Sequence, residues 1–251
     1  MDNLLPRPAE LATFEASMST GADVISKVGF FRFVAGYDRP MESLDRAFQQ
    51  TSDVANALVV LPEAFNIGKY YRDGGKCDYN GSALQTLQSV AAERSVTFIA
   101  GMIVEEANGP MPPFSSAFLI DVSGSKLICR KHGDDGYMDY TPFSGAPDAS
   151  NPVQCGRVSI AAILCMDCVD PQIIQPIEAL LSEAQGPKIV CIPACMNNVY
   201  RDEAIAELWP NHHVVLANSD PLGCPNFISK DGTIIMRDNR GMENAIVLSS
   251  L

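Results

Sequence analysis

Three side chains stand directly behind apolar runs of strand length, where a polar group has most to do. Glu63 follows ALVVLP, Lys131 follows KLICR, and Cys165 closes VSIAAIL. A free thiol is mostly protonated at neutral pH, whereas its thiolate is the nucleophile. A carboxylate within reach can take the thiol proton and later activate water. An ammonium nearby stabilises both the thiolate and the negative oxygen of a tetrahedral intermediate. Thiol, carboxylate and ammonium together make an acyl-transfer site that needs no histidine. In α/β folds ligands gather beyond the carboxyl ends of strands, so three strand-end residues can converge on one pocket.

The elements that must position them can be read from hydrophobic periodicity. Lys27–Val34 reads as a strand, and Met41, Leu44 and Phe48 then share a helical face. Ala57–Leu61 is a continuous apolar run of buried-strand length. Leu84, Leu87 and Ala91 mark a second helix, followed by a strand over Val96–Val104. Ser115–Asp121 and Lys126–Arg130 flank Val122–Ser125, a hairpin pattern. Val158–Leu164 is a further strand. Asp170-Pro171 then supplies an N-cap and a proline at the first helical position, and Ile173, Ile177, Leu180 and Leu181 continue that helix on one face. Lys188–Pro193 and Val214–Ala217 read as strands around a helix at Arg201–Leu208, and a closing hairpin turns at Asp231-Gly232 before Thr233–Met236. No repeat, low-complexity tract or linker interrupts the pattern, so residues 1–251 read as one domain. The long segments Asn66–Ser82 and His132–Val153 are rich in Gly, Asp, Tyr and Pro, and loops of that length inside a compact domain are functional or disordered.

VVLPEAFNIG around Glu63, CRKHG around Lys131 and ILCMD around Cys165 resemble the three signature segments of the nitrilase, or carbon–nitrogen hydrolase, superfamily. The order Glu–Lys–Cys and the intervals match as well. SVTFIAGMIVEE, SSAFLIDVSGSKLICRKH and VVLANSDPLG extend the resemblance over most of residues 27–250. It implies an α/β fold, an α-β-β-α sandwich that builds four layers, pairing into a homodimer or higher homo-oligomer. It also implies a cysteine thioester acyl-enzyme, a small-molecule amide or nitrile substrate, and no metal or organic cofactor. On that pattern Cys165 attacks the carbon, Glu63 shuttles protons, and Lys131 shares the oxyanion with the backbone N–H of Met166. Amides are the favoured substrate, with nitrile or carbamoyl chemistry open. Many members carry a second glutamate between the lysine and the cysteine. No Glu lies between 131 and 165 here, and Asp139, ahead of Phe143 and Gly145, is the best-placed substitute. The alternative is a nitrilase-like binding or scaffold protein with weak or lost turnover.

Composition narrows the rest. Lys+Arg is 18 against Asp+Glu 30, a formal charge of −12, which disfavours nucleic acid and anionic membrane surfaces as partners. No apolar run reaches the roughly 18 residues of a membrane span, and the N-terminus lacks a secretory pattern, so the chain reads as cytoplasmic. Its eight cysteines are then mostly reduced. A Cys–His site is disfavoured: His132 adjoins Lys131 and points to the opposite face of a continuing strand, and His212 and His213 precede a strand. A nucleophile elbow is disfavoured because Cys165 lacks flanking glycines. A zinc site on Cys165, Cys168, Cys191 and Cys195 lacks the glycine-rich knuckles such sites use.

Overall fold

The computed structural model describes residues 25–33, 40–66, 82–104, 114–133, 151–196, 202–219, 223–238 and 244–251. The first half runs β1 (Lys27–Arg32), α1 (Pro40–Gln50), β2 (Ala57–Leu61), α2 (Ser82–Arg94), β3 (Thr97–Val104) and the hairpin β4 (Phe114–Asp121) and β5 (Gly124–Arg130). The second begins with β6 (Val153–Cys155) and β7 (Val158–Ala162), then a 3-10 turn at Cys165–Val169 and α3 (Pro171–Glu183). It continues with β8 (Lys188–Ala194), α4 (Asp202–Glu207), β9 (His213–Asn218), and the hairpin β10 (Phe227–Lys230) and β11 (Thr233–Arg237). A last strand, β12 (Ala245–Ser250), returns to the first half.

Each half builds a six-stranded mixed sheet, ordered β12-β1-β2-β3-β4-β5 and β6-β7-β8-β9-β10-β11. In both, three parallel strands stand at the centre, one antiparallel strand flanks them on one side, and an antiparallel hairpin flanks them on the other. The sequence carries no repeat, but the topology does.

Side-chain alternation turns each central strand into a two-faced wall. Leu58 and Val60 of β2 face Ile160, Ala162, Ile189 and Cys191 of the other sheet. Ala57, Val59 and Leu61, one position out of phase, pack under Leu44, Ala47 and Phe48 of α1 and Leu87 and Ala91 of α2. On the far side Val190, Ile192, Val214 and Leu216 lie against Ile177 and Leu181 of α3 and Ile205, Ala206 and Trp209. The layers are therefore helix, sheet, sheet, helix. Burial on both faces is why the central strands read as unbroken apolar runs rather than alternating ones.

Several details differ from the sequence expectation. β1 ends at Arg32 and β7 at Ala162, each two residues early. The edge strands β6 and β12 are additional; β6 has only three residues and no periodicity to read. Leu180 is 47% exposed and does not share the buried stripe of Ile177 and Leu181 on α3. The N-terminus of α3 is as expected: Asp170 accepts the Gln172 N–H at 2.8 Å, and Pro171 opens the helix.

Candidate active site

Strand direction brings the three residues to one edge. β2 and β3 are parallel, and the chain reverses at β4 and again at β5, so β5 ends where β2 ends. Glu63 follows β2 by two residues and Lys131 follows β5 directly. The end of β2 meets the second sheet through the Glu63 N–H, 3.4 Å from the Ala194 carbonyl of β8. That approach needs Gly101 on β3: a Cβ there would lie 2.6 Å from Glu63 Cα and 2.8 Å from Pro193 Cβ. No side chain fits between the sheets at that level.

Lys131 Nζ lies 3.0 Å from Glu63 Oε1, and both side chains are fully buried. Ser115 on β4 braces the pair. Its hydroxyl donates to the same Oε1 at 2.9 Å, and its carbonyl accepts the Lys131 N–H at 2.9 Å. Glu63 Oε2 is buried and has no N–H or O–H donor among the described residues, while the Cys165 thiol hydrogen-bonds the carboxylate. A buried carboxylate oxygen without such a donor is costly, and such gaps in a network mark places where a proton or ligand is handled.

The Cys165 thiol completes the group. Burial pushes its pKa well above the usual thiol range, and the Glu63 carboxylate pushes it further. Lys131 and the Cys195 backbone N–H, which donates to the sulfur from the end of β8, pull it down. The balance leaves a neutral thiol beside a compensated ion pair. Cys191, in the middle of β8, is raised by burial alone.

The backbone around the thiol is strained. Cys165 has φ +49° and Ala64, beside Glu63, has φ +56°, a region that costs a non-glycine residue about 1–2 kcal/mol. The sharp strand-to-helix turn dismissed for want of flanking glycines is thus present in form, with the cysteine itself in the left-handed conformation. Asp167, two residues on, sends its carboxylate back to the lysine segment. Oδ2 accepts the His132 N–H at 2.7 Å and Oδ1 the Gly133 N–H at 2.8 Å. Asn151 fixes the end of β7, pairing with both the N–H and the carbonyl of Ala162. Asn66 does the same for Ile103 of β3, and Asn218 for Met196 after β8.

Glu63, Lys131 and Cys165 therefore come together, with Met166 next to the cysteine in the 3-10 turn. Asp139 lies outside the described residues. The rival constellations do not assemble. His213 opens β9 opposite Ile189, at the other end of the parallel strands from Cys165, and the ring of adjacent His212 pairs with Glu178 at 2.5 Å. Cys191 faces the inter-sheet core while Cys165 and Cys168 face the helix layer. Among the described residues no group of three or more His, Cys, Asp or Glu is arranged to hold a metal ion.

No protein-family model matches the chain, and no curated protein matches it by sequence. Solved structures do. An amidase from Nesterenkonia sp. matches with a TM-score of 0.65, covering 91% of this chain and 91% of its own at 16% identity. Saccharomyces cerevisiae Nit3, a member of branch 10 of the nitrilase superfamily, gives 0.64 over 92% of each chain at 16% identity. A double mutant of the Nesterenkonia amidase, in complex with acrylamide, gives 0.66 over 99% of this chain and 93% of its own at 17% identity. The chain has the nitrilase-superfamily fold. At so low an identity the agreement lies in the arrangement of the backbone, so the chemistry has to be argued from the site itself.

Two parts of this nitrilase-fold site escaped the sequence reading. Ser115 sits in an ordinary strand pattern, and nothing local marks it as the partner of a residue 52 positions away. Asp167 stands inside the Cys-x-Asp segment, yet its partners lie 34 and 35 residues upstream. For Asp167 the signal was the short spacing to the cysteine; for Ser115 there was none.

Proposed function

We propose that the chain hydrolyses a non-peptide carbon–nitrogen bond in a small molecule, an amide in the favoured case, through a thioester on Cys165. The observation that carries this reading is the fully buried Lys131–Glu63 pair with the Cys165 thiol hydrogen-bonded to the carboxylate. Solved relatives of the fold support it: one Nesterenkonia amidase mutant shows the acetamide moiety of fluoroacetamide added covalently at the active-site cysteine.

The charge count favours the pathway. Lys131 ammonium, Glu63 carboxylate and neutral thiol sum to zero, and a buried cluster resists any net charge. A free thiolate would make the sum negative, which agrees with the raised pKa of Cys165. As sulfur attacks the amide carbon, its proton passes to Glu63 while the carbonyl oxygen takes the negative charge beside Lys131 and the Met166 N–H. The sum is again zero. Collapse of the intermediate re-forms the carbonyl, the carbon–nitrogen bond breaks, and Glu63 returns the proton to departing ammonia or amine. Water then adds to the thioester by the same cycle, with Glu63 as its base, and carboxylic acid and free thiol result. The transition state gains electrostatic stabilisation from a donor already in place.

Asp139 as a second carboxylate, assembly into a homo-oligomer, and a reducing cytoplasmic setting that keeps the thiol free belong to the same reading. A panel of small aliphatic and aromatic amides, nitriles and carbamoyl compounds, assayed for released ammonia, tests it. Ammonia release from at least one member, lost in Cys165→Ala, is expected. Release from none, with an unreactive Cys165, would favour the binding-protein alternative. Within the same assay Asp139→Ala should impair turnover more than Asp135→Ala.

A further inference from the structure

Asp167 is 3% exposed, and each of its carboxylate oxygens accepts one backbone N–H. Those donors, His132 and Gly133, are the two residues directly after Lys131. On its own side Asp167 is held in the 3-10 turn that Cys165 opens: its N–H donates to the Leu164 carbonyl at 3.0 Å, and its carbonyl accepts the Asp170 N–H at 3.1 Å. The carboxylate is thus a rigid link of two charge-assisted hydrogen bonds between the turn that carries the thiol and the segment that carries the ammonium. Lys131 is fully buried, with its N–H on the Ser115 carbonyl and its Nζ on Glu63, so the packed stem has little room to offset a shift of the backbone. The contact is also closely fitted, since a Cβ on Gly133 would stand 3.0 Å from Asp167 Oδ1.

We propose that Asp167 is a positioning residue that sets the distance between the Lys131 ammonium and the reacting centre at Cys165. This rests on the hydrolase reading above, in which Lys131 acts on the oxyanion. Asp167 touches no reacting atom. Its effect on turnover passes through Lys131, and a double-mutant cycle separates that route from general support of the fold.

Asp167→Asn keeps the shape but turns an NH2 donor towards one of two N–H donors, so one bond is lost and the segment shifts. A displacement of about 1 Å in a catalytic constellation costs roughly 10²-fold, and kcat should fall by about that factor with KM little changed. In the Lys131→Met background the same substitution should change the residual rate by less than about twofold. Gly133→Ala strains the same contact from the other side and should lower kcat in the same sense by a smaller factor. It serves as the independent variant if Asp167→Asn folds poorly. The alkylation rate of Cys165 by iodoacetamide, followed by peptide mass after digestion, is read in all four proteins of the cycle. That readout needs no amide substrate, so it judges Asp167 even if the hydrolase reading fails. Slowing by Asp167→Asn in the wild-type background, absent in the Lys131→Met background, supports the proposal. Equal slowing in both backgrounds, or wild-type rates in both Asp167→Asn and Gly133→Ala, would overturn it.

Discussion

The two halves of the molecule share a strand order and use it to opposite ends. Lys131 and Asp238 occupy the same topological position, the first residue after the second hairpin strand of each half. Both enter an ion pair, Lys131 with Glu63 at 3.0 Å and Asp238 with Arg32 at 2.8 Å. Around Asp238 the network closes. Arg32 takes one oxygen of Asp238, Asn226 donates to the other at 3.2 Å, and Asn226 in turn accepts the Asn218 N–H. In the first half Ser115 and Lys131 both donate to Glu63 Oε1, Oε2 has no N–H or O–H donor among the described residues, and the buried Cys165 thiol hydrogen-bonds the carboxylate. One scaffold position therefore yields a pair whose carboxylate is filled on both oxygens or a pair beside a buried thiol. The difference lies in which donors reach the carboxylate, not in the number of charges.

The sharpest way to break this comparison is to remove the nucleophile. Cys165→Ala should abolish hydrolysis, whereas Cys168→Ala, in the same turn, should keep it within about tenfold, or roughly 1.4 kcal/mol of barrier. Steady-state ammonia release decides it. The next largest effects belong to the first-half ion pair. Glu63→Gln and Lys131→Met should each lower kcat by about 10²–10³-fold with little change in KM, as the proposed roles in the chemical step require. A change confined to KM in Lys131→Met would move that residue from oxyanion to substrate binding.

The convergence of Glu63, Lys131 and Cys165 was legible because a polar residue behind an apolar run leaves a local trace at a strand end. The central strands were legible for the same reason, and Ala57–Leu61 falls on β2 without a shift. What stayed hidden depends on partners far apart in sequence. Asn66, Asn151 and Asn218 each pair with both the N–H and the carbonyl of a distant residue, 37, 11 and 22 positions away, and read locally as ordinary loop polar groups. β12 pairs with β1 across almost the whole chain. The repeat of topology was equally invisible, since its two copies share strand directions and not residues.

Stability sharpens the comparison between the pairs. Lys131→Met leaves a buried carboxylate uncompensated and should cost about 3–5 kcal/mol in denaturant unfolding, with part of that recovered in the Glu63→Gln/Lys131→Met double variant. The Arg32–Asp238 pair is less buried, the Arg32 side chain being 20% exposed, and Arg32→Met should cost less. Full additivity of the Glu63 and Lys131 substitutions would show that the buried pair is not coupled.

Ionisation of the thiol gives a smaller, signed effect. The Glu63 carboxylate raises the Cys165 pKa and Lys131 lowers it. Glu63→Gln should therefore let the thiolate appear at lower pH than in the wild type, even as turnover is lost, and Lys131→Met should delay it to higher pH. Thiolate absorbance against pH reads both shifts, and the reverse order would contradict the charge arrangement. The smallest effect is expected from the pair at Asp238: Arg32→Met should leave kcat within about threefold, far less than the loss from either member of the Lys131–Glu63 pair.

The central claim is that acyl transfer passes through the sulfur of Cys165. Protein quenched in acid during turnover of a hydrolysed amide, then digested and weighed peptide by peptide, tests it most directly. The account predicts the mass of the substrate's acyl group on the peptide containing Cys165, accumulating in wild type and absent from Cys165→Ala. Turnover without any adduct on that peptide, together with an active Cys165→Ala protein, would contradict it.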